Sequence, residues 1–179
     1  MPILRPFVQA GAVLAASTLL LTAAATGAQA NLRLVGSPTL SDVQPGTIVI
    51  RTHERALYYV MEPGRAIRYP IAVPRYGKEW SGYARVNGKF TNPDWAPPPV
   101  VKRDHPELPN LIPGGSPSNP MGVAALTLDR DEIAIHGTTQ KMRRSIGSAA
   151  SYGCIRMLNE DVTDLFQRVS VGTPVLMTQ

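Results

Sequence analysis

Apolar and polar positions alternate along the chain in short runs, most of them bounded by Gly, Pro or charged residues. Thr47-Ile48-Val49-Ile50-Arg51 is β-branched, and Ala56-Leu57-Tyr58-Tyr59-Val60 follows after a short charged turn. Glu62-Pro63-Gly64 punctuates the chain, and Arg65 to Val73 alternates over much of its length. Gly122 to Leu128 and Glu132 to His136 read as a strand pair joined by Asp129-Arg130-Asp131, and Thr173 to Thr178 as a last strand. Short strands with Gly/Pro turns predict an all-β sandwich or barrel. One helix stands out. Val162, Leu165, Phe166 and Val169 share a face, Asn159 is placed to cap, Glu160 and Asp161 fall in the first turn, and Gly172 stops the helix.

Two segments break this pattern. Residues 1–30 carry one charge, Arg5, then an apolar run, and end Gly27-Ala28-Gln29-Ala30. A basic start, an apolar middle and small residues at the end predict a secretory signal peptide cleaved after Ala30, and so an exported protein of the periplasm or cell envelope. Residues 31–45 read as a polar lead-in and 46–179 as one domain. Pro93 to Pro120 holds nine of the 17 prolines and cannot be a sheet centre or a helix interior. With Trp95 and Pro97-Pro98-Pro99 it predicts a rigid, packed loop forming one wall of a cleft.

Composition narrows the chemistry. The chain of 179 residues has a formal net charge of +5, and Arg51 to Arg103 holds ten Lys/Arg against four Asp/Glu. A basic exported domain suits an anionic polymer such as a cell wall, although charge alone fits an ordinary solvated surface better. No basic helix or aromatic–basic alternation points to nucleic acid. A single cysteine excludes an internal disulfide framework and a Cys-cluster zinc site, and three scattered histidines do not predict a metal centre.

That cysteine, Cys154, sits in Ser151-Tyr152-Gly153-Cys154-Ile155-Arg156-Met157. A lone thiol in an exported chain is buried and inert, paired between chains, or reactive. Gly153 permits a turn or a close ligand approach, and Arg156, two residues on, favours thiolate over thiol. A reactive thiol needs a base. His53 lies in a charged hairpin and His105 in the proline loop, both read as surface residues. His136 closes a predicted strand, where its geometry can be held.

Ile135-His136-Gly137-Thr138, the fourteen residues Gly137 to Ala150, and then Ser151-Tyr152-Gly153-Cys154 resemble the L,D-transpeptidase catalytic domain, the YkuD-type fold. Val73 to Lys78, the Trp95/Pro97-Pro98-Pro99 loop and Asn119-Pro120-Met121-Gly122 fit the same pattern, which covers roughly residues 46–178. The resemblance implies a mainly β, sandwich-like catalytic fold with a short helix after the Cys motif, acting on peptidoglycan stem peptides without metal or organic cofactor or obligate protein partner. It implies that Cys154 attacks the third-residue carbonyl of a tetrapeptide stem, expels D-alanine and passes the acyl group to an amine of another stem, with His136 as base and acid. Backbone N–H groups of Gly153 and Cys154 are then candidates for the oxyanion hole, and the Gly137 carbonyl for orienting His136. Arg156 would bind a stem carboxylate or brace the loop, and Ser151 would cap the turn. Arg143 and Arg144 would steer anionic stems or sit solvated. The same nucleophile and base would serve a hydrolase or the attachment of a protein to the wall, and a wall-binding domain without chemistry is a further alternative. Tyr152 departs from the family, which usually has His before Gly-Cys, so thiolate tuning or substrate preference is expected to differ.

Overall fold

A computed structural model describes residues 33–179. The expected signal peptide lies outside the described residues. Among the described residues no helix is long and apolar enough to cross a membrane.

The strands, in chain order, are β1 (Arg33–Gly36), β2 (Ile48–Arg51), β3 (Ala56–Glu62), β4 (Arg65–Pro74), β5 (Gly82–Thr91), β6 (Ala124–Leu128), β7 (Ala134–His136), β8 (Ala149–Ser151), β9 (Ile155–Met157) and β10 (Pro174–Thr178). Helix α1 spans Pro99–Asp104 and α2 spans Asn159–Arg168. Pairing runs β4-β3-β2-β10-β5-β6-β7-β9 and returns to β4, so the sheet closes on itself. Closure replaces the expected sandwich-like pair of sheets with a barrel. The ten residues of β4 make it possible: Ala56 to Glu62 of β3 pair with its first half, and Met157 and Arg156 of β9 pair with Ile71 and Ala72 further along. A closed ring leaves these strands no open edge between β4 and β9.

Ile48, Leu57, Ile71, Leu126, Ile135 and Met157 fill the interior and are fully buried. Each such side chain contributes about 1.5–3 kcal/mol by leaving water. Helix α2 packs its Val162 and Leu165 face on β6 and β7, as its periodicity predicts. Its start differs from the expectation. Leu158, whose apolar side chain cannot cap, is the N-cap residue, and Asn159 falls one position later, where its Oδ1 accepts instead from the Thr138 N–H at 2.8 Å. Its end is held by Lys89 on β5, whose Nζ donates to the carbonyls of Phe166 (2.7 Å) and Val169 (2.6 Å). A cation there complements the negative end of the helix dipole.

The proline-rich segment forms an ordered loop, and Pro99, at the first helical position where a missing N–H does no harm, opens α1. That short helix carries no proline in its interior, in keeping with the expectation, and interrupts the loop. Trp95 and Ile112 pair as an isolated bridge. Asn119, 2% exposed, ties the loop together: Nδ2 donates to the carbonyls of Pro93 (2.9 Å), Ile112 (3.1 Å) and Pro113 (3.1 Å), while Oδ1 accepts from Met121 N (2.9 Å).

Candidate active site

Strand parity brings the site together. In the parallel pair β7–β9, Ile135 lies opposite Ile155 and His136 opposite Arg156, and both isoleucines face the core with no exposure. Side chains alternate across a strand. His136 and Arg156 therefore share the other face, and Cys154, two residues before Arg156, joins them. Two residues along a strand and one strand spacing separate the His136 and Cys154 backbones by roughly 8 Å, a gap that an imidazole and a thiol can close between them. All three line one cavity of about 860 Å³. Its opposite wall is the proline loop, with Trp95, Val100, Leu108, Ile112 and Pro120.

His136 is 4% exposed, and its Nδ1 lies 2.8 Å from the Gly137 carbonyl. A carbonyl only accepts, so Nδ1 carries the proton and Nε2 is the basic atom. Burial first, then the Arg156 charge, pushes the imidazole down to about 4, against the carbonyls of Gly137 and Pro120. The ring is neutral at neutral pH. Gly137 N donates to Ala124 O at 3.0 Å, so this glycine serves the site through its carbonyl and not as an oxyanion donor. The carbonyl stays in place because the chain is tight there: a Cβ on Gly137 would lie 2.3 Å from Asn159 Oδ1, and one on Gly122 2.3 Å from Thr138 N.

Cys154 is partly exposed, with Sγ 3.4 Å from the Glu132 carbonyl. Arg156 favours thiolate, as expected, but it does not decide the balance. Arg156 and the Ala134 N–H do favour thiolate, but burial outweighs them and Glu132 opposes them, so the thiol pKa rises above its ordinary value. The resting cavity thus holds a thiol and a neutral imidazole. Arg156 is itself 8% exposed and burial pulls its pKa down. It donates to Ser145 Oγ at 2.7 Å, its Nε has no partner, and no carboxylate pairs with it among the described residues.

Ser151 acts as the expected turn residue: its hydroxyl donates to the Cys154 carbonyl and accepts from Gly153 N at 3.3 Å. Gly153 has φ +140, and a Cβ there would sit 2.6 Å from Ile133 Cδ1, so glycine is required. Tyr152 turns to the cavity rim, where its hydroxyl donates to Asp104 Oδ2 at 2.9 Å and Arg75 lies over its ring at 3.8 Å. His105 is exposed, as read, and packs edge-on to Tyr152 at 6.4 Å where it joins the cavity lining. His53 is on the surface as expected. Arg143 is neither free nor steering: it holds Glu160 through two bonds of 2.8 and 2.6 Å, while Arg144 is exposed. Sequence reasoning missed what three residues do at the site: Asn119, Asn159, which was read only as a helix cap, and Trp80, whose Nε1 donates to the Gly153 carbonyl at 2.9 Å. Asn119 alone had a local signal for its role, its place in Asn-Pro-Met-Gly.

Comparison with known proteins agrees with this geometry. A family model described as the L,D-transpeptidase catalytic domain (YkuD) matches residues 45–177. A probable L,D-transpeptidase of Escherichia coli K12, YbiS, is 35% identical over 141 residues, covering 74% of this chain and 44% of that protein. The chain thus spans about half the length of the curated relatives it matches. Among solved structures, an L,D-transpeptidase from Mycobacterium smegmatis shares the fold at TM-score 0.59 and 14% identity, over 74% of this chain and 58% of that one. A Brucella melitensis protein described as a probable carnitine operon oxidoreductase is 38% identical over 83% of this chain and 93% of its own, at TM-score 0.54.

Proposed function

Because this chain belongs to the L,D-transpeptidase catalytic-domain family, we propose that it is a peptidoglycan L,D-transpeptidase with Cys154 as nucleophile and His136 as base and acid. The observation that carries the reading is the shared face: thiol, imidazole and guanidinium line one cavity from two adjacent strands. Sγ attacks the carbonyl carbon of the third stem residue as its proton passes to His136 Nε2. The carbonyl oxygen becomes an oxyanion, and the Cys154 N–H, which donates to no acceptor among the described residues, is free to receive it. Collapse breaks the C–N bond, His136 returns the proton to the leaving D-alanine amine, and a thioester remains. An amine of a second stem then attacks the thioester, gives a proton to His136 and expels the sulfur, which is reprotonated. The neutral pair suits this sequence, since the base starts unprotonated and the charges form only as the bond does.

Arg156 supplies a buried cation whose side chain bonds only to Ser145 among the described residues, which leaves guanidinium donors to hold a stem carboxylate while that bond braces the loop. The basic surface and the leader expected over residues 1–30 fit export to the envelope, where the substrate is.

Two measurements test the proposal. Mixing the protein with a carbapenem should add its mass to the peptide containing Cys154, and no addition to reduced Cys154 would overturn the assignment. Incubation with a tetrapeptide muropeptide should give cross-linked dimers, whereas tripeptide monomers alone would mean that water, not an amine, takes the acyl group.

A further inference from the structure

Gly153, with φ +140, lacks a side chain that would fix the peptide joining it to Cys154. That peptide is trans, so its C=O and N–H point in opposite directions. Its carbonyl accepts from Trp80 Nε1 at 2.9 Å. Trp80 lies in the β4–β5 connection, packs against the barrel core and is not among the residues lining the cavity. The carbonyl therefore points away from the cavity, and the Cys154 N–H points toward it. Gly153 N is already directed to Ser151 Oγ. Trp80 is in turn held in place: the Arg130 guanidinium covers its ring at 4.6 Å and donates to the carbonyls of Ser81 (3.1 Å) and Tyr83 (3.3 Å) on either side of the β5 start.

The geometry points to Trp80 as a positioning residue that aims the Cys154 N–H at the oxyanion by holding the Gly153 carbonyl from behind. This rests on the acyl-transfer reading above and adds a residue to it. Trp80 touches neither nucleophile nor substrate, so its removal should leave the thiol's intrinsic reactivity alone. It should weaken only reactions in which a carbonyl oxygen takes up charge.

Trp80→Phe keeps the ring and removes the donor. Against wild type, two rates on Cys154 are compared: acylation by a carbapenem, which forms an oxyanion, and alkylation by iodoacetamide, which displaces iodide at a saturated carbon and forms none. Trp80→Phe should slow acylation about tenfold or more, since losing an oxyanion donor outright slows turnover about 100- to 1,000-fold, and should leave alkylation within about twofold. Equal acylation rates in the two proteins would overturn the role. So would a parallel fall in both rates, which would mean a structural effect on the whole loop. Should the variant fail to fold, the wild type decides: its indole N–H groups are two, and in ¹⁵N-Trp protein that of Trp80 should be protected from exchange with solvent. An unprotected Trp80 indole refutes the contact. Failure of the wild type itself to acylate would count against the acyl-transfer reading, a separate result.

Discussion

Varying pH while following alkylation of Cys154 separates a thiol–imidazole pair from a pre-formed thiolate–imidazolium pair. The site contains a cation two residues from the sulfur, and sequence spacing alone favours the ion pair. Burial reverses this. The thiol is pushed above its ordinary 9.0, so less than about one molecule in a hundred carries thiolate at pH 7, and the rate with iodoacetamide should climb about tenfold per unit between about pH 6 and 9. The single cysteine means no background from other thiols. The base shows the opposite displacement. With His136 pushed down to about 4, the imidazole stays neutral until the pH falls to that value, so the acid limb of kcat/KM should lie near 4 and activity should persist at pH 5. Arg156 lowers both groups. Arg156→Gln should therefore raise both: alkylation at pH 8 falls about threefold or more, and the acid limb moves up from about 4 toward the ordinary imidazole range. An alkylation rate that is flat between about pH 5 and 8 would refute the reasoning, because only a thiolate already formed by pH 5 gives such a plateau.

Asn119→Ala removes the side-chain bonds to the Pro93, Ile112 and Pro113 carbonyls, of which Ile112 and Pro113 keep the Trp95 and Ser116 N–H groups, so it should destabilise the protein by about 1–2 kcal/mol and open residues 93–120 to limited proteolysis, read by thermal melting and mass mapping of the nicks. Gly137→Ala forces a methyl to 2.3 Å from Asn159 Oδ1 and moves the carbonyl that fixes the His136 tautomer; carbapenem acylation should slow by about tenfold or more, with Gly36→Ala, where nothing lies within 4 Å, as the neutral control. Lys89→Met keeps most of the apolar stem but uncaps α2, and should lower stability by about 1 kcal/mol in urea unfolding without altering the acylation rate.

Sequence patterning reached the strands whose inward residues are large and branched. Ile48-Val49-Ile50, Ala56 to Val60 and Arg65 to Val73 all fold as read. It missed β5 because the inward positions there are small, Ala84 and Val86, and Gly82, Asn87 and Gly88 resemble loop residues. Only the antiparallel neighbours β10 and β6 make that segment a strand. Cys154 and His136, the proposed nucleophile and base, stood out from residue type and spacing. Their common face did not, since it depends on the β7–β9 register, a tertiary fact. The thiol's protonation state was misread for a related reason: the Arg156 charge shows in the sequence, whereas burial, which outweighs it, belongs to the fold. Trp80 and Asn159 act across 73 and 21 residues; nothing local marks Trp80, and the local signal at Asn159 pointed to a cap instead.

Tyr152 shows how a departure from the family pattern is absorbed. Burial and its bond to Asp104 raise the phenol pKa, so at neutral pH it is a neutral donor and no base. Its hydroxyl and the Arg75 guanidinium converge on the same oxygen of Asp104, each at 2.9 Å. Asp104 ends α1 on the proline-loop wall, while Tyr152 stands two residues from the nucleophile on the other. The tie therefore spans the cavity rim. An imidazole at position 152 is shorter than a phenol and would not reach as far toward Asp104. A tyrosine here is a neutral hydrogen-bond donor that ties this wall to Asp104 on the other, and His136 is the one imidazole on the Cys154 side of the cavity.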